Sequence, residues 1–169
     1  VPQLTSMFDT HAALHPYIIR GDHQEMDDPT GEFAQSHDEM ERYLQFSYCI
    51  KCGCCMAACP TCATDHVYSG PMPLAQAERY NADTRDDGFV ERRDVLAGER
   101  GPWGCHFAGE CSRACPKGVD PAKAIQLLRR ALVVDTLGLR RPGSPAGIAT
   151  APTGQQRREG IPLAPDPTV

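Results

Sequence analysis

The chain has 169 residues, of which 41% are hydrophobic, and a formal net charge of −5; this length supports one modest domain with extensions and excludes two large hydrophobic cores. The acidic balance argues against a nucleic-acid surface, which needs a dense basic patch to neutralise phosphates. No apolar run approaches the roughly 20 residues that cross a bilayer, no export signal opens the chain, and a start at Val1 without methionine reads as a processed chain or a piece of a longer one.

In chain order, residues 1–47 read as a helical arm. Thr5 or Ser6 is the expected cap of a first helix, MFDTHAALH, which Pro16 stops. HQEMDDPTGE, with Pro29 and Gly31, is a polar connector. The spacing predicts a second helix over 36–46 with Met40, Tyr43 and Leu44 on one side. Further on, Pro73 is expected to open a helix on which Leu74, Ala77 and Tyr80 recur at near-turn spacing. Another helix is predicted over 88–97, stopped by Gly98, with Phe89 and Leu96 a heptad apart on its buried stripe. The last helix carries the fullest punctuation: Asp120 as N-cap, Pro121 in the first turn and Gly138 beyond the end. Ile125, Leu128 and Leu132 line its core face, and Leu127, Ala131 and Val134 widen it. No strand pattern is present. From 139 to 169 Pro, Gly, Ala and Thr dominate, a tail with too little apolar surface to offset its ordering entropy.

Nine cysteines crowd this length. Disulfide frameworks belong to small secreted domains, and six cysteines packed between Cys49 and Cys62 suit them poorly. Structural zinc takes four ligands, usually as Cys-x-x-Cys pairs with histidine partners, and neither cysteine passage resolves into such a set. Iron–sulfur ligation is the favoured chemistry, with a structural zinc module for protein contacts as the alternative from another class. The passages CIKCGCCMAACP, from Cys49 to Pro60, and CHFAGECSRACP, from Cys105 to Pro116, match at three cysteines and the final proline. At one position the match fails, because Cys52 faces Ala108.

In two-cluster ferredoxins three thiolates of a tight loop bind one cluster, and the cysteine before the proline serves the other. The proline ends the local helix and turns that cysteine away from its neighbours. This rule assigns Cys49, Cys52, Cys55 and Cys115 to a [4Fe–4S] cluster, and Cys59, Cys105 and Cys111 to the second. Ala108 stands at the second cluster's fourth corner, where a methyl group cannot coordinate iron. That cluster is therefore expected as [3Fe–4S], at a different potential. Cys54 and Cys62 read as packed free thiols. His106 reads as a surface or hydrogen-bonded histidine, with proton supply beside the cluster as its second reading. Arg129, Arg130, Arg140 and Arg141 read as lipid-headgroup contacts or as a solvated helix end. The expected fold class is all-α: a helical two-cluster ferredoxin-like domain over 48–138, with a helical arm over 1–47 and an irregular tail over 139–169.

CIKCGCC with its CP, CH ahead of CSRACPKG, and the following VDPAKAI together resemble the iron–sulfur subunit of succinate dehydrogenase and fumarate reductase, respiratory complex II. The spacer SGPMPLAQAERYNADTRD and the arm VPQLTSMFDTHAALHPYI extend the resemblance over residues 1–137. It implies the same ligand sets, and an electron-transfer subunit of a succinate:quinone oxidoreductase with no succinate site of its own. The implied route runs from an FAD-bearing flavoprotein through [2Fe–2S], [4Fe–4S] and [3Fe–4S] clusters to quinone at a membrane anchor. Pro60, His106 and the backbone near Ala108 match the family's quinone-proximal positions. The implied location is peripheral, on the cytoplasmic face of the inner membrane, or on the matrix face in an organelle. The family's plant-type ferredoxin domain, carrying [2Fe–2S], has no counterpart here, so this chain is the C-terminal part of the subunit or that domain is supplied separately. Where ubiquinone-using members carry a tryptophan pair, this chain has Ala63 and Thr64, which implies menaquinone. Heterodisulfide reductase and the anaerobic glycerol-phosphate and glycolate oxidase families share the doubled frame but keep all eight cysteines, so Ala108 counts against them.

Overall fold

The computed structural model describes residues 4–14, 35–86 and 88–139, and every regular element among them is a helix. The order is α1 (Leu4–Ala12), α2 (His37–Ser47), α3 (Cys54–Ala57), α4 (Pro60–Thr64), α5 (Pro71–Ala82), α6 (Phe89–Ala97), a 3-10 turn (Pro102–Gly104), α7 (Glu110–Arg113) and α8 (Pro121–Thr136). The expected all-α class is the observed one. Pro16, the connector at 23–32, Arg140, Arg141 and the rest of the tail beyond Leu139 lie outside the described residues.

Local chemistry sets the helix boundaries. Ser36 closes a capping box on α2: its hydroxyl accepts the Glu39 N–H at 3.3 Å, while the Glu39 carboxylate accepts the Ser36 N–H at 2.9 Å. Asp120 caps α8 by accepting the Lys123 N–H at 2.9 Å, and Pro121 follows where a missing N–H loses no helical bond. Gly138, at φ +67°, lies just past the end of α8 as predicted. Two starts differ from expectation. Thr5 and Ser6 lie inside α1, so neither caps it. α5 opens at Pro71, not Pro73, because Gly70 at φ +88° turns the chain there. A Cβ on Gly70 would stand 2.3 Å from Met56 Cε, so only glycine permits that close approach.

Helix α5 is the axis of the fold. All its residues except Arg79 are buried, with α8, α2 and α1 packed around it. Its polar groups are engaged by those neighbours. Gln76 Nε2 donates to the Phe46 carbonyl at 3.1 Å, and Arg79 Nε donates to Ser47 Oγ at 3.0 Å. Leu74 and Ala77 share one core with Ile125, Leu128 and Leu132 of α8, Leu96 of α6, and Met7 and Leu14 of the arm. Burying each such leucine or isoleucine contributes roughly 1.5–3 kcal/mol.

Arg92, absent from the predicted stripe of α6, is wholly buried. Its Nε donates to the Leu14 carbonyl at 2.9 Å, and Nη2 donates to both Asp86 carboxylate oxygens at 2.8 Å. Nη1 bonds Asn81 Oδ1, and the guanidinium lies 5.4 Å from the centre of the Tyr80 ring. One side chain thereby joins the end of α1, α5, the loop after it, and α6. His11 makes a second tie, its Nε2 lying 2.8 Å from the Tyr80 hydroxyl. Burial, with Lys51 and Arg79 nearby, holds the His11 pKa below its ordinary value.

Candidate metal centres

The two cysteine passages fold the same way, residue for residue. Lys51 and Phe107 occupy equivalent left-handed positions at φ +56° and +57°, followed by Gly53 and Gly109 at +78° and +76°. Each glycine starts a four-residue helix, α3 and α7. The tight reversal aims a backbone N–H at the first sulfur of each passage: Lys51 N–H donates to Cys49 Sγ at 3.4 Å, and Phe107 N–H to Cys105 Sγ at 3.3 Å. A left-handed non-glycine residue is strained by about 1–3 kcal/mol, and here the strain presents a donor to a sulfur.

Two hollows result. Cys49, Cys52, Cys55 and Cys115 line the first, whose other walls include Met72 and Ala75 of α5 and Val119. Cys59, Cys105 and Cys111 line the second, together with Pro60, Tyr68, His106 and Ala108. Cys59 and Cys115, the residues before the prolines, thus sit in the hollow of the opposite passage. The two hollows enclose about 370 Å³ and 300 Å³ of space, part of it open to solvent. Among the described residues no three Cys, His, Asp or Glu side chains close around one point as a single ion requires.

Burial, and then the neighbouring sulfurs, set the protonation of these thiols. Burial, reinforced by the nearby thiols of Cys49, Cys115, Cys111 and Cys52, pushes the Cys55 thiol up to about 12. Burial likewise raises Cys49, against the pull of the Lys51 N–H, and raises Cys111. Cys59 moves the other way, to about 6, because Cys62 hydrogen-bonds its sulfur and keeps its own proton. Metal ligation requires thiolates, so a cation binding here would displace the protons of these thiols to solvent. The donor set therefore fits an iron–sulfur group.

Around the hollows, Cys62 is buried against Cys59 and Gly70, in keeping with a packed thiol. Cys54 corrects the expectation: it is exposed, beside Cys52, on the solvent side of α3, whose Cys55 and Met56 face inward. His106, Ala108 and Pro60 are exposed at the rim of the second hollow. Arg129 is a further correction to the reading of a solvated helix end, because its guanidinium is engaged by backbone carbonyls. It donates to the carbonyls of Pro102 (2.9 and 3.0 Å), Trp103 (3.1 Å) and Cys105 (2.5 Å), fastening the turn that leads into Cys105. Ser112 does similar work for α7, donating to Asp120 at 2.5 Å and accepting the Ala122 N–H at 3.1 Å. Nothing in the helical pattern marks Arg129 or Ser112, since both act across the fold.

Comparison with known proteins agrees with this geometry. A family model for the 4Fe-4S dicluster domain matches residues 45–119. The fumarate reductase iron-sulfur subunit of Mycobacterium tuberculosis is 48% identical over 114 residues, covering 68% of this chain and 45% of that protein. The fumarate reductase iron-sulfur subunit of Escherichia coli O157:H7 is 44% identical over 126 residues, covering 75% and 50%. The succinate dehydrogenase iron-sulfur subunit of Paracoccus denitrificans is 34% identical over 134 residues, covering 79% and 50%. The chain spans about half the length of these curated relatives. Through its dicluster region it belongs to the family of fumarate reductase and succinate dehydrogenase iron–sulfur subunits.

Proposed function

We propose that this chain is the two-cluster part of the iron–sulfur subunit of a membrane-bound succinate:quinone oxidoreductase. In this reading residues 1–47 form the connector, 48–138 the cluster domain and 139–169 a tail. Cys49, Cys52, Cys55 and Cys115 hold a [4Fe–4S] cluster, and Cys59, Cys105 and Cys111 hold a [3Fe–4S] cluster. When bound, the clusters supply single-electron valence changes between the two-electron chemistry of a flavin and that of a quinone. The chain's own residues ligate them, fix their spacing and limit water. The apolar walls of the first hollow, Met72, Ala75 and Val119, serve that last purpose. Pro60, His106 and Ala108 lie beside the quinone, menaquinone by the Ala63 and Thr64 substitution, and His106 is placed to deliver a proton. The flavoprotein, a [2Fe–2S] domain and a membrane anchor complete the complex, and this chain docks peripherally on the anchor, on the cytoplasmic or matrix side. Among the described residues no helix is long and apolar enough to cross a membrane.

The observation that carries the reading is the exchange of Cys59 and Cys115 between the two hollows, four sulfurs in one and three in the other. Fumarate reduction is the second reading, favoured by the higher identity to relatives named for it, 48% and 44% against 34%. Assaying the purified complex with succinate and with fumarate decides the direction. Low-temperature EPR with iron and sulfide analysis tests the clusters. The oxidised protein is expected to show a [3Fe–4S] signal. Two [4Fe–4S] clusters would overturn the role given to Ala108, and zinc without sulfide would overturn the whole reading.

A further inference from the structure

We propose that Tyr68 is a positioning residue of the second centre, its phenolic O–H donating to the sulfur of Cys105 and raising the reduction potential of the cluster bound there. The proposal rests on the reading that Cys59, Cys105 and Cys111 hold a cluster. Tyr68 is 5% exposed, and its hydroxyl is wholly buried without a hydrogen-bond partner among the described residues. A buried hydroxyl left unpaired is destabilising, and native structures seldom keep one without a use. This one belongs to the wall of the second hollow, with the sulfurs of Cys105, Cys59 and Cys62 in electrostatic reach.

Packing holds the ring there. A Cβ on Gly104 would stand 3.0 Å from Tyr68 Cδ2 and 3.6 Å from Cγ, so the ring lies against the backbone that leads into Cys105. Arg129 also fixes that backbone, through the Trp103 and Cys105 carbonyls. The phenol therefore has little freedom to seek another acceptor. A thiolate bonded to iron would give the hydroxyl the charged acceptor it lacks, and such bonds are stronger than neutral ones.

The donor also distinguishes the two centres. Backbone N–H groups reach Cys49 and Cys105 alike, at 3.4 and 3.3 Å, so the shared loop does not separate their potentials. The first hollow is walled by Met72, Ala75, Val119 and Pro121, none of which carries a hydroxyl. Hydrogen bonds to cluster sulfurs favour the reduced, more negative state and so raise the potential. Tyr68 adds that bias to the second centre alone.

The test is Tyr68→Phe, which removes one oxygen and keeps the packed ring, in the complex purified with its clusters. EPR-monitored redox titration reads both midpoints in one sample, so the first cluster is the internal control. The expected result is an unchanged spin count at both clusters and an unchanged first midpoint. The second reduction equilibrium should weaken by about tenfold, which is 59 mV for a one-electron couple. Pulsed EPR in H2O and D2O gives a readout that packing does not move: the parent protein should show one exchangeable proton coupling beyond that of the Phe107 N–H, which stays in both proteins, and the variant should lose it. Unchanged midpoints with both clusters present overturn the role of Tyr68 and leave the cluster reading standing. Equal shifts at both clusters also overturn it, as a general structural effect. Absence of any second cluster from the parent protein brings down the reading beneath it as well.

Discussion

Replacing Arg129 with methionine should loosen the entry to the second centre while leaving the helical core intact. The guanidinium makes four donor contacts, to Pro102 (two), Trp103 and Cys105, and lies 5.9 Å from the centre of the Trp103 ring. These contacts do not add, since one rigid fork makes them all. Water also reaches part of the site, because Arg129 and Cys105 are half-buried and Trp103 is exposed. The loss is therefore nearer that of one hydrogen bond to a charged group, about 1.5–3 kcal/mol. At 1.4 kcal/mol per factor of ten, local opening becomes roughly ten- to a hundredfold more frequent. Amide hydrogen exchange reads this directly. The Cys105 N–H, bonded to the Pro102 carbonyl at 3.1 Å, and the Phe107 N–H, bonded to Cys105 Sγ, should exchange faster by that factor. Amides of α5 should keep their rates, and Arg129→Lys, with the charge but not the fork, should fall between. Unchanged exchange at Cys105 and Phe107, or equal acceleration throughout the protein, would refute the reasoning.

On the proposed assignment, Ala108→Cys should add a fourth ligand, convert the second centre towards [4Fe–4S] and slow quinone reduction; an EPR spectrum identical to that of the parent would show that position 108 does not face the cluster. Arg92→Met leaves the Asp86 carboxylate buried without its bidentate partner, so about 3–5 kcal/mol of stability should be lost, read as a lower urea midpoint; a loss under 1 kcal/mol would remove Arg92 from its tying role. The arm should loosen in acid. His11 has a folded-state pKa depressed below 6.5, so the folded protein binds fewer protons there than the unfolded chain. Its contribution is fully present above pH 6.5 and is lost as pH falls through the depressed value. Stability measured from pH 7.5 down to 5 should therefore decline less in His11→Gln than in the parent, and parallel curves would refute this.

What the sequence made legible was chemistry with a fixed spacing. The passages place cysteines and turns at equal intervals, and the lining of each hollow by the other passage's Cys59 or Cys115 is what the proline after each cysteine leads one to expect. Helix α8 was legible because Asp120, Pro121 and Gly138 act on their own immediate backbone. Helix α5 was blurred because a helix covered on nearly all sides has no polar stripe to set its phase, and Gly70 moved its start by contact with Met56, a residue 14 positions earlier. Arg92 and Tyr68 were invisible, and the role of Arg129 was missed, for one reason: each is defined by what it meets across the fold. Cys54 was misread because adjacency to Cys55 in sequence says nothing about which side of a four-residue helix meets solvent.

The proposed inequality of the two centres has a physical basis deeper than the cysteine that Ala108 replaces. At the shared left-handed position the first passage carries Lys51 and the second carries Phe107. Lys51 stands electrostatically close to Cys49 and opposes the burial that raises its thiol. Phe107 brings no charge, is 58% exposed, and stands at the rim of the second hollow beside the exposed His106 and Ala108. A strained backbone is normally relieved by substituting glycine, so a large aromatic ring held there and turned to solvent calls for a use. In the proposed reading that use is contact with the apolar quinone or the anchor at the point where electrons leave. In the same reading, Lys51 occupies the equivalent strained position at the centre where electrons arrive, and one backbone motif, used twice, would receive its direction from side chains that do not ligate metal.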